Sequence, residues 1–146
     1  MIDNRKEFAN KKRFPHVDKI FLGASHTAKI SKLTISQNTF IMIVTQGNEL
    51  DYECLKAVIG SKAGYIGVIS SKAKRIKFFA RLKKDGVPEE LFDKINIPAG
   101  LDIGAQTPEE IAVSIMAEVI KCKNPHWLGT DKFKAKYESM LSEISL

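Results

Sequence analysis

The chain has 146 residues, 44% of them hydrophobic and 27% charged, which is the size and makeup of one ordinary globular domain with its own core. Twenty-three Lys and Arg against 17 Asp and Glu leave a formal charge of +6, spread over several segments, so a solvated basic surface is expected and a nucleic-acid reader is not. No apolar run approaches the roughly 20 residues that cross a bilayer, and the start MIDNRKEFANKKR lacks the apolar core of a secretory signal. These features exclude a helical membrane span and point to a cytoplasmic protein.

In chain order, residues 18–22 and then 39–45 (TFIMIVT) are short apolar runs between turn-type residues, and both read as buried strands. Residues 49–59 follow with Leu50, Cys54, Leu55 and Val58 at helical spacing. A third run, 65–69, has the continuous apolar character of a parallel strand covered on both faces and ends at Ser70 and Ser71. Residues 72–84 then form a helix with Ala73, Ile76, Phe79 and Ala80 inward and the basic residues opposite. The span 85–104 reads as loop with a short helix at 88–94. Thr107-Pro108-Glu109-Glu110 opens the next helix: Thr caps, Pro fits the first turn and Glu110 closes a capping box. Its stripe of Ile111, Ile115, Val119 and Cys122, widened by Ala112 and Met116, is expected to pack on the sheet before Asn124-Pro125 stops it. Residues 131–145 read as a last amphipathic helix. Strands alternating with helices predict an α/β, three-layer Rossmann-like fold with a mostly parallel sheet, residues 1–124 forming the domain and 125–146 a helical extension.

In such folds ligands bind beyond the carboxyl ends of the strands. Three segments fall there. Thr45, Gly47 and Asn48 offer a close backbone approach and neutral hydrogen-bonding groups. Ser70, Ser71, Lys72 and Arg75 combine hydroxyl caps, free helix N–H groups and cations, an arrangement that suits phosphate. Asp102 and Gly104 precede the capped helix. Each also has a purely structural reading as a helix entry or loop anchor. The histidines, His16, His26 and His126, show no metal-like spacing and read as solvated or structural. Cys54 and Cys122, without CxxC spacing, read as reduced thiols. No catalytic constellation is legible.

Several blocks carry a specific resemblance: IDNRKEFAN with Arg13-Phe14-Pro15, VTQGNELD at 44–51, YIGVISS at 65–71, and PAGLDIGAQTPEEIAVSI at 98–115. In sequence and order they resemble the C-terminal domain of the XdhC/CoxI family, accessory proteins of molybdenum hydroxylases such as xanthine dehydrogenase. The resemblance implies a Rossmann-like fold, handling of the molybdenum cofactor (molybdopterin) or a nucleotide, and a molybdenum hydroxylase as partner. It places Asp3 at the end of the family's second strand, where dinucleotide folds hold a ribose. It also shows departures. The family's first strand and its glycine-rich turn have no counterpart, Asn48 stands where the family commonly has His, and Ser70 where it commonly has Gly.

The family's first strand lies between its second and fourth. Its loss predicts one of three compensations: direct pairing of the flanking strands, an element from another subunit, or a longer physiological chain. A homodimer is the expected assembly. The rival readings are an NAD(P)- or flavin-dependent oxidoreductase, disfavoured by the absent glycine fingerprint, and a partner-binding module that has lost its ligand.

Overall fold

The computed structural model describes residues 1–124, which form two compact units, Met1–Ala99 and a second beginning at Gly100. The expected helix at 131–145 and the separate extension expected from 125 lie outside the described residues.

The first unit is α/β, and every strand pairing in it is parallel. Its strands are β1 (Ile2–Asp3), β2 (Phe21–Leu22), β3 (Phe40–Ile43), β4 (Tyr65–Val68) and β5 (Ile95–Asn96). Its helices are α1 (His26–Ile30), α2 (Asn48–Val58) and α3 (Lys72–Lys84), and a 3-10 turn spans Glu89–Lys94. The expected sheet is divided: β1 pairs with β2, and separately β3, β4 and β5 form a three-stranded sheet in that order. Among the described residues the strands β1 and β3 do not pair, so the expected direct pairing of these two strands is not observed.

The core lies on the three-stranded side. β4 is buried at all four positions, as its unbroken apolar run requires of a central parallel strand. Leu55 and Val58 of α2, Phe78 and Leu82 of α3, and Ile95 and Ile97 close around Ile66 and Val68 in one apolar cluster. Strand β2 departs from expectation, since only Phe21 and Leu22 of the 18–22 run pair and neither is buried.

Helix α3 has the expected limits but a different inner face. Phe78 and Leu82 are buried, while Ile76 is 72% exposed and Ala73 and Ala80 face solvent. Phe78 and Leu82, one turn apart, enclose more apolar surface than an alanine-lined face could. The Phe78 ring meets the edge of Tyr52 with centroids 5.8 Å apart. Phe79 is part-buried, stacked against Phe92 at 4.9 Å. A polar clasp fixes the rotation: Arg81 forks onto Glu49 at 2.6 and 2.5 Å and lies 3.9 Å over the Tyr52 ring. The Tyr52 hydroxyl donates to Asp85 at 2.9 Å, and Lys56 reaches the same oxygen at 2.6 Å.

In the second unit, α4 (Pro108–Lys123) begins with the expected capping box. Thr107 Oγ1 accepts from the Glu110 amide at 3.2 Å, and the Glu110 carboxylate accepts from the Thr107 amide at 3.0 Å. Gly100 sits at φ +103, against Ser114, where a side chain would collide with the Ser114 hydroxyl. That hydroxyl donates to Leu101 O at 2.6 Å, and the Gly100 amide donates to Glu118 at 2.8 Å, clasping the 100–106 loop to α4. The expected apolar stripe is only partly covered: Ile111, Ile115 and Val119 are part-buried, whereas Ala112, Met116 and Cys122 are exposed.

Candidate ligand site at the carboxyl edge

The ladder of β3, β4 and β5 sets three chain exits side by side. Ile43 is in register with Val68, and Gly67 with Asn96. Beyond the strand ends the Ile69 amide still donates to Ile43 O at 3.1 Å, and the Ala99 amide to Val68 O at 3.0 Å. The segments that follow β3 and β4, 44–47 and 69–71, therefore leave from one edge, and each turns at once into a helix.

The first of these segments is held from inside. Asp51, only 5% exposed, accepts from the Thr45 amide at 3.1 Å and from the Thr45 hydroxyl at 2.6 Å; that hydroxyl also lies 3.2 Å from Gly47 O. Thr45 is thus committed to shaping the loop. Gly47, the N-cap of α2, has φ +129 and open space where a side chain would stand, and Asn48 follows it, exposed. Glu49 and Asp51 in this first turn answer the helix dipole from within the protein.

The second segment has the opposite electrostatics. Ser71 caps α3 by accepting from the Lys74 amide at 3.3 Å, and the first turn holds no acid. Lys72, Lys74 and Arg75 surround it, with the Arg75 guanidinium 5.0 Å over the Phe79 ring. The Ser70 hydroxyl is buried with no hydrogen-bond partner. A buried hydroxyl normally finds one, because leaving it unmade costs on the order of 1–3 kcal/mol.

Asp3, at the end of β1, is fully engaged by Arg5, whose Nε and Nη2 reach its two oxygens at 3.0 Å each while the Arg5 amide donates at 2.9 Å. The guanidinium beside it holds the Asp3 carboxyl below its usual value. Asp3 and Thr45 line one cavity of about 960 Å³, in the range of small-molecule sites. The residues lining it do not include Gly47, Asn48, Ser70, Ser71, Lys72 or Arg75. Asp102 and Gly104 belong to the second unit, in the loop before α4, where Gly104 has φ +75. The ten expected residues thus fall into the α2 and α3 entries, the cavity wall and a loop of the other unit.

Sequence patterns pass over the residues that give the cavity its polar character. Arg5 and Arg13 both stack on Phe8, at 4.5 and 5.3 Å from its centroid, and His26 lines the wall, 8% exposed, with Nδ1 buried and unpartnered. The signal in the chain is the pairing of Arg5 and Phe8 three residues apart; nothing local marks His26. Cys54 is buried and Cys122 exposed, both free, and burial pushes the Cys54 thiol up.

Over residues 1–119 the chain matches the family model described as the XdhC Rossmann domain. It is 34% identical over 122 residues to the uncharacterized Escherichia coli protein YqeB, covering 84% of this chain and 22% of YqeB. To a Bacillus subtilis protein named as a probable xanthine dehydrogenase subunit it is 30% identical over 121 residues, covering 83% of this chain and 34% of that protein. Among solved structures, one described as a xanthine dehydrogenase from Bacillus halodurans matches with a TM-score of 0.70 and 31% identity, over 85% of this chain and 34% of the other. The chain therefore spans about a fifth to a third of these relatives' lengths, and it belongs to the XdhC Rossmann-domain family.

Proposed function

We propose that this domain serves the maturation of a molybdenum hydroxylase of the xanthine dehydrogenase type by holding a phosphate-bearing ligand, the molybdenum cofactor or a nucleotide, at the carboxyl edge of the three-stranded sheet. The observation that carries this reading is the entry to α3: an orphaned Ser70 hydroxyl, a Ser71 cap and a first turn with cations and no acid. The N–H groups and dipole of such a turn favour a phosphate, and Lys72 and Arg75 add charge. Gly47 lets a ligand approach the neighbouring α2 entry without steric hindrance. The names of the relatives support the xanthine dehydrogenase connection.

The residues present fit the phosphate end of either ligand. Ser70 and Ser71 would donate to its oxygens, and Lys72 and Arg75 would neutralise it. The cofactor itself supplies the redox chemistry once it reaches its enzyme. The domain's own residues bind and orient. The test is Lys72→Ala with Arg75→Ala, titrated with pyrophosphate, ATP and molybdopterin. Binding should fall at least about tenfold and lose its salt dependence while the circular dichroism stays unchanged. Undiminished binding in a folded double variant rejects the site.

A further inference from the structure

Helix α3 turns outward a face that its sequence pattern would bury. Phe78 and Leu82 hold it to the core, and the opposite side carries Ala73, Ile76 and Ala80, with Ile76 72% exposed. These three stand three and four residues apart, the spacing of a coiled-coil seam. Lysines edge the seam on both sides. At 3.6 residues per turn, Lys77 and Lys84 form one column along it, and Lys72 and Lys83 the other. Helix α3 joins β4 to β5, and none of these residues lines the cavity beside β1.

A single exposed isoleucine is ordinary on a protein surface; the charge around this one sets it apart. The α3 sequence KAKRIKFFARLKK holds seven Lys or Arg and no acid. Like charges at i and i+4, as at Lys77 and Arg81, work against such a helix. The fold answers part of the charge: Glu49 takes Arg81 at 2.5 Å and Glu89 takes Lys83 at 2.6 Å. Lys77 and Lys84 have no ion-pair partner among the described residues.

We infer that this face docks an acidic amphipathic α-helix of a partner protein, its apolar stripe on Ile76 and its carboxylates beside Lys77 and Lys84. Charge complementarity chooses this occupant, because flanking charges select the partner of a helical seam. Ala73 and Ala80 leave room on either side of Ile76 for larger apolar side chains of the partner, as ridges packed into grooves require. A membrane surface fits less well, since the helices that enter one bring a wider stripe of large apolar residues. A nucleic-acid strand also fits less well: the two rings of α3, Phe78 and Phe79, pack on Tyr52 and Phe92 and offer a base nothing to stack on.

The test is a display selection on the intact 146-residue protein. The library consists of helices of about 20 residues, long enough to fold, with apolar seams and glutamate, lysine or glutamine at each flanking position. Winners should carry glutamate at most flanks. Ile76→Glu should weaken them at least about tenfold, and Lys77→Glu with Lys84→Glu should do the same with a loss that shrinks as salt rises. Reversing the peptide's glutamates to lysine should restore binding to the protein with both lysines replaced. All three positions are exposed, so these variants should keep the parent's fold, which hydrogen exchange without peptide checks.

Winners without acidic flanks overturn the inference, as does binding that Ile76→Glu leaves unchanged in a folded protein. Vesicles of phosphatidylserine with phosphatidylcholine, and a single-stranded oligonucleotide, are the rival probes. If either binds more tightly than every selected helix and is lost in the same variants, the face belongs to that surface and the helix is rejected. Neither Lys72 nor Arg75 is altered, so this proposal and the phosphate site fail separately.

Discussion

In the three-stranded sheet all four residues of β4 are buried, and Leu55, Ile66, Val68 and Leu82 have no exposed surface; in the two-stranded sheet no strand residue is buried and Leu22 is 44% exposed. The two regions are held by different forces. Apolar burial holds the first. The second relies on main-chain pairing, the Asp3–Arg5 fork and two guanidiniums on Phe8, with Ala9 its only fully buried apolar residue near the N-terminus. The difference shows what flanking strands do for a core: β4, paired on both sides by β3 and β5, is buried throughout, whereas β1 and β2, paired only with each other among the described residues, are not.

The largest expected effect separates the halves directly. Leu55→Ala should cost about 2–5 kcal/mol in denaturant unfolding, because it opens a cavity in the apolar cluster. Phe21→Ala, at a part-buried edge position, should cost about 1 kcal/mol. Equal losses would mean that both sheets share one core.

A second prediction concerns the clasp between α2 and α3. Tyr52 is pushed up to about 12 by burial and then by its bond to Asp85, from an ordinary value of 10.0. The folded state thus favours the protonated phenol. That contribution is complete below about pH 10 and is lost as pH rises toward 12. Tyr52→Phe should cost about 1–2 kcal/mol at neutral pH, by leaving Asp85 with one partner fewer. The variant should also show a smaller loss of stability between pH 10 and 12 than the parent, followed by tyrosinate absorbance and unfolding. An unchanged alkaline profile would remove Tyr52 from the clasp.

The smallest effect is acidic. Asp3 is held low chiefly by its side-chain bonds to Arg5, so its contribution is present above the ordinary carboxylate value and disappears as pH falls through the lowered one. The amides of β1 and β2 should lose exchange protection on acidification before those of β4. Asp3→Asn should bring that loss to neutral pH. Simultaneous loss across both sheets would show that the Asp3–Arg5 fork does not govern the weaker half.

Much of this was legible in the chain. The limits of α3 follow from residues 72–84, α2 lies within one residue of its expected span, and the capping box at Thr107 forms as its spacing predicts. The strands at 40–43 and 65–68 lie inside the expected apolar runs. Of the candidate site, the α2 and α3 entries were legible because helix caps and glycines act through bonds a few residues away. Strand β5, helix α1 and the cavity wall were not. Two-residue strands and a five-residue helix are too short to impose a period.

Local chemistry, then, was fixed by the sequence alone for the longer elements: that residues 40–43 and 65–68 are extended, that 48–58, 72–84 and 108–123 are helical, and that their order makes a parallel α/β fold. Tertiary structure decided which face of α3 turns inward, that Asp51 and His26 are buried, and that the strands divide into two sheets around a slot. The reason is range. Periodicity and capping depend on neighbours a turn away, whereas burial and strand pairing depend on what stands opposite, and at the slot between β1 and β3 the described residues place no strand.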